Sequence, residues 1–293
     1  MSLTPTKQPI IPKIKKETIR KLLIRGERID NRKFDEYRRI KMYLNPIPKA
    51  EGSALVRLGN TIVMTGVKIE VGTPFSDRPE EGVLQVSAEF VPLASPTFEP
   101  GPPDEFAIEA ARVIDRCLRE PRAVRLEDLV IIPGKKVWIV FNDIYLLDHD
   151  GNIIDAGMLS SMLALNTARL PSITGIEGEN IIVDKRKKDK PLALNLNVVT
   201  VTIGIIDEYL IVDPSLEEEL VLDAKITMGF DENGRITGIQ KTGMSGMPPS
   251  KLDDIIELAS RKASELHGLL REVLNNPTTY SKSLAEIMDE EGQ

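Results

Sequence analysis

The sequence predicts an α+β fold made of two similar halves packed as one body. Three observations carry this. Apolar residues recur with a period of two over 41–47, 52–71 and 83–93, and then switch to a helical period over 104–120. The same order of strands and then a proline-flagged amphipathic helix returns between 198 and 274. Between them lies VWIVFNDIYLLD at 137–148, a β-branched and aromatic run of the kind that fills a buried strand.

At 293 residues the chain suffices for one large domain or two small ones around a sizeable core. Hydrophobic residues make up 41% and charged residues 28%, the balance of a soluble globular protein. No stretch approaches the ~20 apolar residues of a membrane span. The opening MSLTPTKQPIIPKIKK lacks the apolar core of a signal peptide, so a cytoplasmic location and no membrane partner are expected. Cys117 is the single cysteine, which excludes an internal disulfide. With His149 and His267 the only histidines, no conventional zinc site is expected. The net charge of −7 is wrong for a protein that coats duplex DNA. Contact with nucleic acid would need a local patch, with the rest of the field supplied by a partner.

In chain order, residues 1–9 read as a loose polar arm and 10–24 as a helix with apolar Ile14, Ile19, Leu22 and Leu23, ended by Gly26. An arm and helix thus occupy 1–26. ERIDNRKFDEYRRI at 27–40 alternates cations and acids. It is either a basic patch or a network tying the incoming strand to the domain. Residues 55–58 pair with 61–71 across Gly59-Asn60 as a hairpin. GTPFSDRPEEG at 72–82 is a loop of turn formers. The next strand sends Val83, Gln85, Ser87 and Glu89 one way and Leu84, Val86, Ala88 and Phe90 the other.

The helix at 104–120 is well signalled. Pro102 and Pro103 cannot sit inside it, Asp104 can cap it, and Glu105 suits its first turn. A pitch of about 100° per residue puts Phe106, Ala110, Val113, Ile114, Cys117 and Leu118 on one face. The other face carries Glu105, Glu109, Arg112, Arg116 and Arg119, with Arg122 just beyond. Glu109–Arg112 and Asp115–Arg119 are spaced as acid-to-base helical pairs. The stripe is therefore either a solvated, salt-bridged face or a phosphate-binding one.

Asp150-Gly151 is a turn, and the small, apolar 156–170 segment should be an interior helix. Lys185-Arg186-Lys187-Lys188 reads as a solvated hairpin tip. Four strands follow at 198–206, 209–213, 222–230 and 235–243. Pro248 and Pro249 then precede a helix at 251–274, with Leu252, Ile255, Ala259, Leu266, Leu269 and Leu270 on its apolar side. The tail at 276–293 is polar, ends acidic, and is expected to be disordered.

Several of these stretches coincide with one family. The chain resembles the RNase PH superfamily over roughly residues 25–275. The carriers are RIDNR at 28–32 (similar to the family's R-x-D-G-R), AEGSALVRLGNTIVMTGVK at 50–68, VWIVFNDIYLLDHDGNIIDAG at 137–157 and IVDPSLEEELVLDAKITMGF at 211–230. FEPGPPDEFAIEAARVIDR at 98–116 is most similar to the non-catalytic RNase PH-like subunit of the archaeal exosome. The resemblance implies an RNase PH-like α+β fold, ribosomal protein S5 domain 2-like, with duplicated βαβ-type halves. Its body would span 27–275, with halves at roughly 27–170 and 190–275. It also implies a hexameric ring of three heterodimers, in which such subunits alternate with a catalytic RNase PH-like paralogue under a cap of S1- or KH-bearing subunits. Such an assembly degrades single-stranded RNA from the 3′ end by phosphorolysis.

Phosphorolysis brings two anions into one pocket, which demands cations and donors. Active members of the family supply hydroxyls and an arginine in a small-residue turn before the buried helix. Here that turn reads DGNIIDAG at 150–157. Ile153 and Ile154 cannot hold phosphate by side chain, and Asp155 would repel it. Asp223 matches the family's catalytic acid, either as a surviving carboxylate or as a vestigial, structural one. The resemblance therefore implies a chain that is not an enzyme on its own and needs no cofactor, with phosphate held mainly by its partner. Arg112 and Arg116 match positions that lend arginines to the RNA path, and Arg119 and Arg122 are further candidates. Guanidinium contacts to phosphate would be sequence-independent and salt-sensitive. With aromatics at only 4%, no exposed aromatic platforms are expected, so the RNA backbone would be read and not its bases. Two other readings stay open: a self-sufficient RNase PH-like exoribonuclease, and a binding protein unrelated to RNA decay.

Overall fold

In the computed structural model, which describes residues 13–243, 245–246 and 249–291, helix α1 (Lys13–Ile24) comes first. The expected arm at 1–9 and the residues up to 12 lie outside the described part. Ile19 and Leu23 of α1 are buried against Ile206, Ile211 and Val221, so α1 docks on the second half of the chain. Ile14 is exposed.

The first sheet holds β1 (Ile40–Leu44), β2 (Gly52–Leu58), β3 (Thr61–Gly72), β4 (Val83–Phe90), β5 (Val130–Ile132) and β6 (Lys136–Asp148). Its order is β1-β2-β3-β6-β4, with β5 also on β6. The β2–β3 hairpin closes at Leu58↔Thr61 across Gly59-Asn60, as the turn signal predicts. β4 runs parallel to β6, and this pairing needs a crossover. The crossover contains α2 (Glu105–Arg119).

Helix α3 (Ile153–Thr167) crosses the inner face of this sheet and is buried along nearly its whole length. It starts and ends three residues earlier than the sequence predicts. Asn152 takes a left-handed conformation (φ 50) that sets its start, and Ala168 is already extended. Gly52 lets β2 approach it: a Cβ there would lie 2.3 Å from the Ala164 carbonyl oxygen.

β7 (Arg169–Glu177) and β8 (Asn180–Pro191) form a separate two-stranded ribbon. Its tip is Gly178-Glu179, so the basic run at 185–188 is not at the tip as predicted. It lies in the body of β8, where pairing skips from Asp184 to Lys188 and bulges the residues between. Lys185 pairs with Glu70 at 3.2 Å, and Lys188 donates to the Ala50 carbonyl.

The second sheet follows: β9 (Val198–Ile206), β10 (Tyr209–Val212), the short α4 (Leu216–Glu219), β11 (Ala224–Asp231) and β12 (Ile236–Thr242), ordered β10-β9-β11-β12 and antiparallel throughout. Helix α5 (Leu252–Asn275) buries Ile255, Ala259, Ala263, Leu266 and Leu270 against it, while Leu252 and Leu269, expected inside, are exposed. One apolar core runs from the first sheet through α3 to β9, β11 and α5.

Residues 276–291 of the tail are ordered, contrary to the compositional expectation, and the last two lie outside the described part. α6 (Pro277–Tyr280) and α7 (Leu284–Glu291) pack back on the first sheet. The anchor is Ile287, 4% exposed, seated against Tyr43 and Leu55. Glu286 caps the turn by accepting from the Ser283 amide and hydroxyl, each at 2.7 Å. One well-placed isoleucine outweighs a polar composition.

The segment at 27–40 is a network and not a basic patch. Arg28, 1% exposed, donates to both carboxylate oxygens of Glu218 at 2.9 and 2.6 Å and to the carbonyls of Val212 and Asp213. Arg32 donates to Asp213 Oδ2 at 2.9 Å. Arg38 takes Asp213 with two bonds. These bidentate geometries stitch the entry strand to the second half.

Candidate functional site

Asp104 caps α2 by accepting from the Ala107 amide at 2.9 Å. The buried residues are Ala107, Ala110, Ala111, Val113, Ile114, Cys117 and Leu118. Phe106, predicted inside, is 56% exposed. The reason is close packing. α2 sits so near the second sheet that a Cβ at Gly229 or Gly238 would lie 2.7 or 2.9 Å from Cys117 Sγ. Such an approach selects alanines for the contact face. Burial pushes the Cys117 thiol up to about 11 and keeps it inert.

The arginine stripe divides in two. Arg119 donates to Asp115 at 2.7 Å, as its spacing predicts, and to the Leu84 carbonyl at 3.3 Å. Arg122, left-handed at φ 54, pairs with Glu127 at 3.1 Å and Glu81 at 3.4 Å. Arg112 and Arg116 are exposed, and among the described residues neither makes an ion pair. The predicted Glu109–Arg112 pair is not formed. Glu109 accepts from Thr242 Oγ1 at 2.7 Å and Gln240 Nε2 at 3.5 Å instead. An exposed helical ion pair is worth only about 0.2–0.5 kcal/mol, so a part-buried hydroxyl outcompetes it.

At the head of α3, where the resemblance leads to an expectation of hydroxyls and an arginine, Ile153, Ile154 and Asp155 supply neither. Ile154 is buried, and Asp155 is fully buried and faces inward. Its Oδ2 accepts from Tyr37 Oη, Asn152 Nδ2 and the Thr202 amide, and its Oδ1 from Thr202 Oγ1, all at 2.9 Å. Asp155 is therefore an internal acceptor and not the surface repulsion its place in the turn suggests. Burial pushes its carboxyl up to about 6 against the pull of these donors. The segment around Ser215 closes on the turn: a Cβ at Gly151 would meet the Leu216 amide nitrogen at 2.5 Å.

Asp223 lies at the start of β11, away from this turn. It accepts from the Asp207 amide at 2.8 Å and faces Lys16 of α1 at 3.6 Å. Lys225, two residues on, meets Glu219 at 3.2 Å.

Sequence reasoning missed Phe75. It lies in the loop read as turn formers, is 59% exposed, and lines a groove of about 220 Å³ with Val83–Val86 of β4 and Ala111, Arg112 and Asp115 of α2. The expectation of no exposed aromatic platform is therefore corrected by both Phe75 and Phe106. A phenylalanine alone among polar turn residues was the available signal.

Models of the 3′ exoribonuclease family match the chain, domain 1 over residues 36–171 and domain 2 over residues 197–262. The Exosome complex component Rrp42 of Aeropyrum pernix is 52% identical over 256 residues, 87% of this chain and 93% of that protein. Its counterpart from Sulfurisphaera tokodaii is 47% identical over 275 residues, 94% of this chain and 100% of that protein. Among solved structures, a chain of the Archaeoglobus fulgidus exosome with RNA bound to the active site superposes with a TM-score of 0.81 at 43% identity, covering 87% of this chain and 97% of that one. A rice Rrp46 crystal structure at 19% identity, with a TM-score of 0.66, shares the fold alone.

Proposed function

The chain belongs to the 3′ exoribonuclease, or RNase PH, family, and from that premise we propose that it works as the non-catalytic ring component of an archaeal exosome. The observation that carries this is the head of α3. Ile153, Ile154 and an inward, fully hydrogen-bonded Asp155 stand where phosphorolysis needs hydroxyls and an arginine. Without donors for two anions the chain cannot activate phosphate against a phosphodiester. A catalytic paralogue supplies that site, and three such pairs close the ring beneath S1- or KH-type cap subunits.

This chain contributes shape and charge. Arg112 and Arg116 meet the phosphates of single-stranded RNA on its way to the paralogue's site. Their exposure, and the lack of ion-pair partners among the described residues, support this, because no carboxylate there must be displaced before an anion binds. Arg119 and Arg122 already hold acids and would steer RNA at longer range. Asp223 acts as a structural acid at the β9–β10 turn, which its amide contact supports. No helix among the described residues is long and apolar enough to cross a membrane, and RNA decay by such a ring belongs in the cytoplasm.

The test is phosphate-dependent release of nucleoside diphosphates from poly(A), with the chain alone and with its catalytic paralogue. Activity is expected only in the pair. Robust turnover by the chain alone would overturn the proposal and establish a self-sufficient exoribonuclease.

A further inference from the structure

We propose that the groove between β4 and α2 seats one base of single-stranded RNA, stacked on Phe75, while Arg112 holds the adjoining phosphate. This rests on the reading of α2 as an RNA-facing helix and goes beyond it, because that reading concerns the backbone alone.

The groove has the chemistry of a nucleotide site. Val83, Leu84, Val86 and Ala111 line it with apolar surface, and Phe75 adds an exposed ring. An aromatic ring stacks on any base, because every base has a π-face. Arg112 lines the same groove and makes no ion pair among the described residues. Gln85 and Asp115 bring a donor–acceptor amide and a carboxylate to the lining, groups that meet base edges. The charge of Asp115 is offset by Arg119 at 2.7 Å, so it does not repel a phosphate held at Arg112.

The competing occupant is an extended peptide added to the free edge of β4. Arg119 argues against it by donating to the Leu84 carbonyl, which occupies a backbone acceptor that an added strand would need. An unpaired guanidinium beside an exposed aromatic ring also suits a nucleotide better than a peptide strand.

The test uses the full chain assembled with its catalytic paralogue and a single-stranded RNA carrying one 2-aminopurine, whose fluorescence falls on stacking. Binding should quench the probe. Phe75→Ala should abolish the quench and weaken binding by roughly tenfold, and Phe75→Tyr should restore both. Phe75→Ala should leave the salt dependence unchanged, because it removes no phosphate contact. Arg112→Glu should lower the salt slope by about 0.7.

An unquenched probe on the wild-type assembly, with Phe75→Ala binding normally, would overturn the base seat. The RNA surface of α2 would survive that result if Arg112→Glu still weakened binding, and would fall with it if it did not. Loss of ring assembly in Phe75→Ala with RNA binding intact would also overturn the base seat and assign the groove to a protein neighbour.

Discussion

Arg38 holds Asp213 with two parallel bonds, Nη2 to Oδ1 at 2.7 Å and Nε to Oδ2 at 2.9 Å, across 175 residues of chain. The Asp213 side chain is fully buried and also accepts from Arg32 and Asn152. Removing one partner of such a pair leaves the other as an uncompensated buried charge. Asp213→Ala should therefore destabilise the chain by about 3–5 kcal/mol, read as a shift in the urea midpoint. A loss below about 1 kcal/mol would mean that water already reaches the network.

Asp155 makes stability depend on pH in an uncommon direction. Its folded-state pKa, about 6, lies above the ordinary aspartate value of 3.8, so the folded chain binds the proton more tightly than the unfolded one. Its contribution is complete only below the unfolded value of 3.8 and is lost as pH rises through 6. Asp155→Asn imitates the protonated state and should lack this slope. Relative to wild type, the variant should gain about 2 kcal/mol between pH 4 and pH 7, measured by urea unfolding at each pH. Parallel curves for the two proteins would show that the four donors hold Asp155 ionised throughout.

The division of the arginine stripe predicts unequal effects on RNA. On the proposed RNA path, replacing both Arg112 and Arg116 with Glu should lower the salt slope of RNA binding by the assembled complex by about 1.4, or 0.7 for each lost phosphate contact on a single strand. Arg119→Ala should change the slope little and cost the fold no more than about 1 kcal/mol, as for an exposed ion pair. An Arg119 effect equal to that of Arg112 would refute the division.

Ile287 should be the pin of the tail. Ile287→Asp places a charge against Tyr43 and Leu55 and should release α7 while leaving the body folded. Limited proteolysis would then cut within 282–291 at a rate the wild type does not show. An unchanged cleavage pattern would place the anchor elsewhere.

What could be read from the sequence was local or strongly periodic. The cap at Asp104 and the turn at Gly59-Asn60 depend on neighbours a few residues away, and both appear where expected. Of the face read for α2, Ala110, Val113, Ile114, Cys117 and Leu118 are buried as expected, while Phe106 is exposed and Ala107 and Ala111 are buried besides, because periodicity counts apolar residues while the glycines of β11 and β12 select small ones. Glu109 found Thr242, 133 residues on, a partner that no spacing rule indicates. The bulge in β8 depends on pairing with β7, so the basic run was misplaced at the tip. At the site, Ile153 and Ile154 at the head of α3 were legible because they are a matter of residue type. The partnering of the arginines and the groove beside Phe75 required packing.

The clasp of Arg28 on Glu218 also sets an order of events. The two residues lie 190 positions apart, so on the ribosome the guanidinium waits roughly 10–40 s for its carboxylate. Until then it stays hydrated and its segment cannot dock. A chain broken off before residue 218 never closes this bond and keeps the segment exposed. The clasp thus dates the docking of the entry segment: it can form only after synthesis has passed residue 218.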